Sequence, residues 1–199
     1  MSSKGFIGKM TGRIKKSFVL LAAWAALFSF ATLARLSVGF GFDGTLVQSR
    51  AAFSKAAAMA APACSSGFWA EVNRSYDLER VKIVPYALAW LFRLLGFRVE
   101  VVSARPEQDS EHLVKDWRYL LPPGRFVLAG SLEGLLDKLK TGRFVLFFSS
   151  SARELNAARE AGVRPLRILR DGGAAPCPEG PGPEPSITAG TLWIPLSQY

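Results

Sequence analysis

What most narrows the fold of this chain is the way short apolar runs alternate with stretches of helical character. Short apolar runs lie at 36–42, 97–102, 126–129, 143–148 and 166–169, and several of them are close to continuously apolar. A strand with one wet face alternates apolar and polar residues, whereas a near-continuous run is the pattern of a strand covered on both sides. Between the runs lie an alanine-rich stretch at 51–61 closed by Pro62, and a segment with apolar residues at 84, 87, 88, 91, 92 and 95 that stops at Gly96. Further helical stretches are read at 106–119, 132–140 and 153–161, and a last strand at 191–195 beyond a Pro/Gly-rich loop at 171–185. Strands joined through helices pair in parallel, so the expectation is an α/β, Rossmann-type doubly wound parallel sheet with a small helical cap near 50–80. Ligands of such sheets bind at the carboxyl ends of strands, which directs attention to 41–45, 103–105 and 149–154. No internal repeat is visible.

Ahead of this pattern, residues 17–34 form eighteen positions without a charge, preceded by Lys4, Lys9, Arg13, Lys15 and Lys16. Eighteen is long for the core of a signal peptide and near the lower limit for a membrane-spanning helix. One N-terminal transmembrane or signal helix over 1–34 is therefore expected, with an α/β domain over 35–199. As an uncleaved anchor it holds the five cations in the cytoplasm and places the domain in the periplasm or an equivalent space. The alternative is secretion after a cut near Ala34, with Thr32 and Ala34 as the small residues before it.

The net charge of +9 falls to about +4 once those five cations are set aside, and no clustered basic run remains, so a nucleic-acid partner is not expected. Cys64 and Cys177 are too few for a disulfide framework and lack neighbours for a zinc site; one bridge and two free thiols both stay open. His112, the single histidine, follows Glu111 in a mixed-charge stretch and reads as an exposed helix residue.

The three strand ends resemble the motifs of the haloacid-dehalogenase superfamily, in particular its class B acid phosphatases, over residues 36–199. The first family motif, Asp-x-Asp-x-Thr, corresponds to Gly41-Phe42-Asp43-Gly44-Thr45, with the general acid kept as Asp43 and the nucleophile replaced by Gly41. The second corresponds to Ser103-Ala104-Arg105. The last, Gly-Asp-Ser-Asp-Asn-Asp in class B enzymes, reads Ser149-Ser150-Ser151-Ala152-Arg153-Glu154, while the flanking AAREAG and RILR agree. The lysine of the third motif falls at Leu135, with Lys138 one turn away. The segment at 67–73, GFWAEVN, is similar to a class B Phe-Trp-Glu segment.

This resemblance implies phosphate-binding roles for Thr45, Ser103 and Arg105, and an aromatic substrate pocket lined by Phe53 and Trp69. It implies a magnesium site in which Ser150 replaces the ligand and Glu154 stands for the outermost carboxylate. A glycine cannot form an aspartyl-phosphate, and magnesium is usually anchored by one or two carboxylates. The expectation is a catalytically inactive, membrane-anchored pseudophosphatase with Asp43 as a vestigial general acid and no cofactor. It would bind a protein partner in or near the membrane, or phosphate or a nucleotide. The alternative is an active class B-like phosphatase that hydrolyses phosphomonoesters with magnesium.

Overall fold

The computed structural model describes residues 3–59, 62, 64–120, 125–169 and 191–199. Helix α1, Ser3–Leu33, leads into strand β1, Ser37–Phe40. The connection is a Schellman-type stop: Leu36 N–H reaches the Ala31 carbonyl at 3.0 Å and Arg35 N–H reaches Thr32 at 3.2 Å, with Arg35 at φ 53°. Five parallel strands follow the order β5-β4-β1-β6-β7, with β4 at Arg98–Ser103, β5 at Arg125–Leu128, β6 at Phe144–Ser149 and β7 at Arg164–Arg167. Strands β2 (Val47–Gln48) and β3 (Arg80–Val81) form a separate antiparallel pair.

The period-two pleat divides the core between the two faces of the sheet. On one face Val38, Phe40, Val99, Val101 and Phe148 meet Ala89 of α4 (Ile83–Leu94) and Leu113 and Trp117 of α5 (Glu111–Leu120). On the other, Val102 and Phe147 meet Leu135 and Leu139 of α6 (Leu132–Thr141) and Ala157 and Ala158 of α7 (Ala152–Glu160). Phe40 and Phe148 stack with centroids 4.6 Å apart across neighbouring strands. Burying each such ring contributes about 2–3 kcal/mol. The doubly wound α/β sheet is as the residue pattern implied.

The cap is built from α2 (Arg50–Met59) and α3 (Ser66–Arg74), which enclose Ala52, Ala56, Phe68 and Val72. Ser65 is the N-cap of α3, accepting from Phe68 N–H at 3.2 Å. Helix α5 begins at Glu111 rather than 106, because the carbonyls of Pro106 and Gln108 accept from Asn73 Nδ2 at 3.1 and 2.7 Å instead of starting a helix. The strand expected at 191–195 is reduced to one parallel bridge between Trp193 and Arg167. Strand β7 lies two residues earlier than the expected 166–169. The loop at 171–185 falls outside the described residues.

Within α1, Lys16–Leu33 is long and apolar enough to cross a membrane, and only 6% of that window is buried. Its last turns nevertheless touch the domain. Trp24 Nε1 donates to the Leu94 carbonyl at 3.2 Å, and Thr32 Oγ1 lies 3.4 Å from the Gly96 carbonyl. Gly96 has φ +87°, and a Cβ there would stand 2.6 Å from the Phe28 carbonyl, so both its conformation and this approach call for glycine.

Candidate functional site

The carboxyl ends of β1, β4 and β6 bring Gly41–Thr45, Ser103–Arg105 and Ser149–Glu154 together, as parallel pairing requires. Gly41 N–H donates to the Phe148 carbonyl at 2.8 Å, which continues the β1–β6 ladder one residue past the strand. Thr45 Oγ1 accepts from Ser150 N–H at 2.9 Å, and Ser150 Oγ donates to the Asp43 carbonyl at 3.2 Å. The serine run of β6 therefore clamps the turn of the first motif. Thr45, Ser103, Ser149, Ser150 and Ser151 are all buried.

Glu154 lies inside this clamp. Ser151 caps α7, which sets Glu154 in the first turn with its side chain turned toward the sheet, where Ser149 Oγ donates to Oε2 at 2.6 Å. A Cβ built on Gly41 would lie 2.6 Å from that same Oε2, 3.2 Å from Thr45 Oγ1 and 3.3 Å from Ser149 Oγ. The space left by the missing side chain at 41 is thus filled by a carboxylate carried on another element. Nothing in the one-dimensional pattern gives this contact, because the two residues lie on different strand–helix units.

Arg105 is the second centre. Its side chain is fully buried, and Nε and Nη2 donate to the two Asp43 carboxylate oxygens at 2.8 and 2.5 Å. Nη2 also pairs with Glu79 Oε1, and Nη1 lies 3.4 Å from Asn73 Oδ1. The guanidinium carbon stands 4.9 Å from the ring centre of Phe42 and 5.6 Å from that of Phe53, held between two aromatic faces. Burial opposes the charge on Arg105, but Asp43 and Glu79 outweigh it and raise its pKa above the ordinary value. Glu79 is pushed up to about 7, by burial first; Arg105 pulls it down, and the charge of Asp43 raises it further. Among the described residues its Oε2 has no hydrogen-bond partner.

Sequence reading missed Glu79, Asn73 and Lys82. Lys82 is completely buried under the turn of the first motif, donating to the Gly44 and Leu169 carbonyls at 2.9 and 2.6 Å. An arginine flanked by two distant acids leaves no local signal, although a lysine opening the apolar helix α4 is an oddity that could have been noticed. Lys138 is directed to mid-sheet, where it pairs with Glu100 at 3.2 Å, and Leu135 is core. Phe53 and Trp69 meet edge to face at 5.9 Å within the cap. Cys64 is disulfide-bonded, while Cys177 lies outside the described residues. His112 is exposed on α5.

The donors at the three strand ends do not fit magnesium. Both oxygens of Asp43 are taken by Arg105, Glu154 Oε2 is taken by Ser149, and position 150 carries a hydroxyl. Among the described residues no group of three His, Cys, Asp or Glu could hold a metal ion.

No protein-family model matches the chain. It is 28% identical over 149 residues to the class B acid phosphatase of Citrobacter rodentium (strain ICC168), covering 68% of this chain and 63% of that protein. It is 26% identical over 149 residues to the class B acid phosphatase of Klebsiella pneumoniae (strain 342), with the same coverage. The chain thus spans less than two thirds of the length of these relatives. Among solved structures, CbbY from Rhodobacter sphaeroides in complex with phosphate superposes with a TM-score of 0.50 at 15% identity, over 79% of this chain and 92% of that one, a likeness of fold. The chain is thus similar in sequence to class B acid phosphatases and similar in fold to CbbY.

Proposed function

We propose that this class B acid phosphatase-like chain is a membrane-anchored pseudophosphatase, held by α1 and acting as a binding or structural subunit rather than a hydrolase. The observation that carries the reading is the side chain of Glu154 packed into the space a nucleophile would need at Gly41. Two further features support it. Asp43 is neutralised by Arg105 instead of being available to a leaving group, and the hydroxyls of Thr45 and Ser103 are buried in internal hydrogen bonds. Packing of Trp24, Phe28 and Thr32 against Leu94 and Gly96 favours retention of α1 as an anchor over its removal near Ala34. The exposed side chains of Leu192, Trp193, Leu196 and Tyr199 offer a partner apolar contact surface.

A second reading is favoured by one observation: Glu154 places a carboxylate in the cleft, close to where the family's nucleophile would begin. In that reading the chain hydrolyses phosphomonoesters. The deciding experiment is hydrolysis of p-nitrophenyl phosphate and nucleoside monophosphates by the full chain in detergent with magnesium. Turnover at the uncatalysed rate is the expected result. Turnover abolished by Glu154→Gln would establish the active alternative and defeat the pseudophosphatase.

A further inference from the structure

The five parallel strands share a feature at the edge opposite the candidate site. Arg125 opens β5, Arg98 opens β4, Arg35 lies two residues before β1, Arg143 immediately precedes β6 and Arg164 opens β7. In the spatial order of the sheet these five arginines form a staggered row, Arg125–Arg98–Arg35–Arg143–Arg164, one at the start of every strand, with Arg125 level with Glu100 and Arg164 level with Leu146, so that the two outer members stand further up the strands than the central three. Neighbouring strands are about 4.8 Å apart, so the row extends across about 19 Å. All five side chains are exposed, and among the described residues none of the five enters a salt bridge. Backbone bonds from Arg98 N–H to Leu36 at 2.9 Å and from Ser37 N–H to Arg143 at 2.8 Å tie its centre together, and Arg143 Nη1 donates to the Ala34 carbonyl at 3.0 Å.

Two observations say what this row faces. Helix α1 ends at Leu33, two residues from Arg35, so the apolar helix emerges from the middle of the row. The last turn of α4 descends beside it, with Leu91 and Leu94 49% and 60% exposed and the Leu94 carbonyl bonded to Trp24. In addition, Arg35 occupies the left-handed position where a helix stop favours glycine, a conformation that disfavours a side chain. An apolar helix and an apolar helix end, flanked by guanidinium groups without carboxylate partners, match the layering of a bilayer, hydrocarbon beneath phosphate.

We propose that the amino-terminal edge of the sheet is a docking surface for anionic phospholipid headgroups, with Leu91 and Leu94 of α4 dipping beneath them. The sheet then stands with this edge on the membrane, and the candidate site at the opposite edge faces away from it. This inference rests on the reading of α1 as a membrane anchor, and the test separates the two.

The full chain is diluted from detergent into vesicles of phosphatidylcholine alone, or of three parts phosphatidylcholine to one part phosphatidylglycerol, and floated. Amide exchange at the first residues of β4, β5 and β7 is then compared in the two. The expected result is flotation with both vesicles, greater protection with the anionic lipid, and loss of that difference in 0.5 M salt. Each arginine near an anionic surface contributes about a fivefold preference, so the triple variant Arg98→Gln, Arg125→Gln, Arg164→Gln lowers the anionic-lipid preference about a hundredfold. The matching triple lysine variant retains most of it, which separates charge from misfolding. Flotation with both vesicles and identical protection overturns the docking surface and leaves the anchor. Flotation with the anionic vesicles alone overturns the anchor and supports the surface, and flotation with neither overturns both. Equal protection of the edge by duplex DNA added to neutral vesicles would reassign the row to nucleic acid.

Discussion

Restoring the family's carboxylate at position 41 tests the central geometric finding. Gly41 does not lie in the left-handed region, so Gly41→Asp brings no backbone strain of its own; the new side chain meets Glu154 instead. Glu154 can swing, since only its carboxylate is in the way, but it then loses the 2.6 Å hydrogen bond from Ser149. Such charge-assisted bonds contribute about 1.5–3 kcal/mol. The approaches of 3.2 Å to Thr45 and 3.3 Å to Ser149 add an overpacking cost of about 1–3 kcal/mol. Gly41→Asp alone should therefore destabilise by about 3–5 kcal/mol, and by less at acidic pH, where one of two crowded carboxyls holds a proton. With Glu154→Ala the cavity reopens and the introduced carboxylate can accept from Ser149 in its place, so the double variant should be more stable than the sum of the singles by about 1.5 kcal/mol or more. Urea denaturation of the four proteins measures this coupling. Additivity within about 0.5 kcal/mol would show that Glu154 does not occupy the space in solution and would remove the main support for the pseudophosphatase.

Other parts of the site carry predictions of their own. Glu79 has a folded pKa of about 7 against an ordinary 4.5, so the folded state binds its proton more tightly; its contribution is full below about pH 4.5 and is lost as pH rises through 7. The stability difference between the unaltered protein and Glu79→Gln should fall by about 3 kcal/mol across that window, measured as chemical denaturation at successive pH values. Arg105→Ala leaves Asp43 and Glu79 together without their cation and should cost about 3–5 kcal/mol at pH 8, with partial recovery at pH 5. Gly96→Ala combines a left-handed backbone with a Cβ 2.6 Å from the Phe28 carbonyl and should lower the thermal midpoint in detergent, whereas Gly67→Ala, whose Cβ would meet Ser65 Oγ only at 3.9 Å, should leave it nearly unchanged.

The sheet was legible because its evidence is local and repeated. The run at 143–148 has the apolar character of a doubly covered strand, and the helix period before Gly96 marks α4 within one residue at each end. The elements that shifted did so for tertiary reasons. Helix α5 starts late because Asn73 takes two carbonyls ahead of it, and the tail at 191–199 makes one bridge to β7. At the site, sequence supplied Gly41, Asp43, Ser103, Arg105 and Glu154 as residues of interest, and the fold brings them to one end of the sheet. It could not supply their pairing, since Glu79 reaches Arg105 across 26 positions and Glu154 fills a space defined by an absent side chain. The basic edge was hidden in the same way: five arginines scattered between 35 and 164 form no run, and only the parallel topology brings them, in a stagger, to one edge of the sheet.

On the pseudophosphatase reading, the charge arrangement predicts that introducing one residue does not confer hydrolysis. A phosphatase must hold a cation ready for an incoming dianion, and a buried guanidinium without a partner is costly. Here Asp43 and Glu79 supply that partner from within, and Phe42 and Phe53 cover the remaining faces of Arg105. With a nucleophile returned at 41, Asp43 would still be held by Arg105, Ser150 would still offer a hydroxyl where a metal needs a carboxylate, and Glu154 would compete for the space of the new side chain. The three departures support one another: the substitution at 41 makes room for Glu154, Glu154 and the serine clamp close the turn, and the closed turn holds Asp43 against Arg105. A cleft stabilised by its own internal charges gains less from binding phosphate than one that awaits it, which favours partners recognised by the outside of this domain.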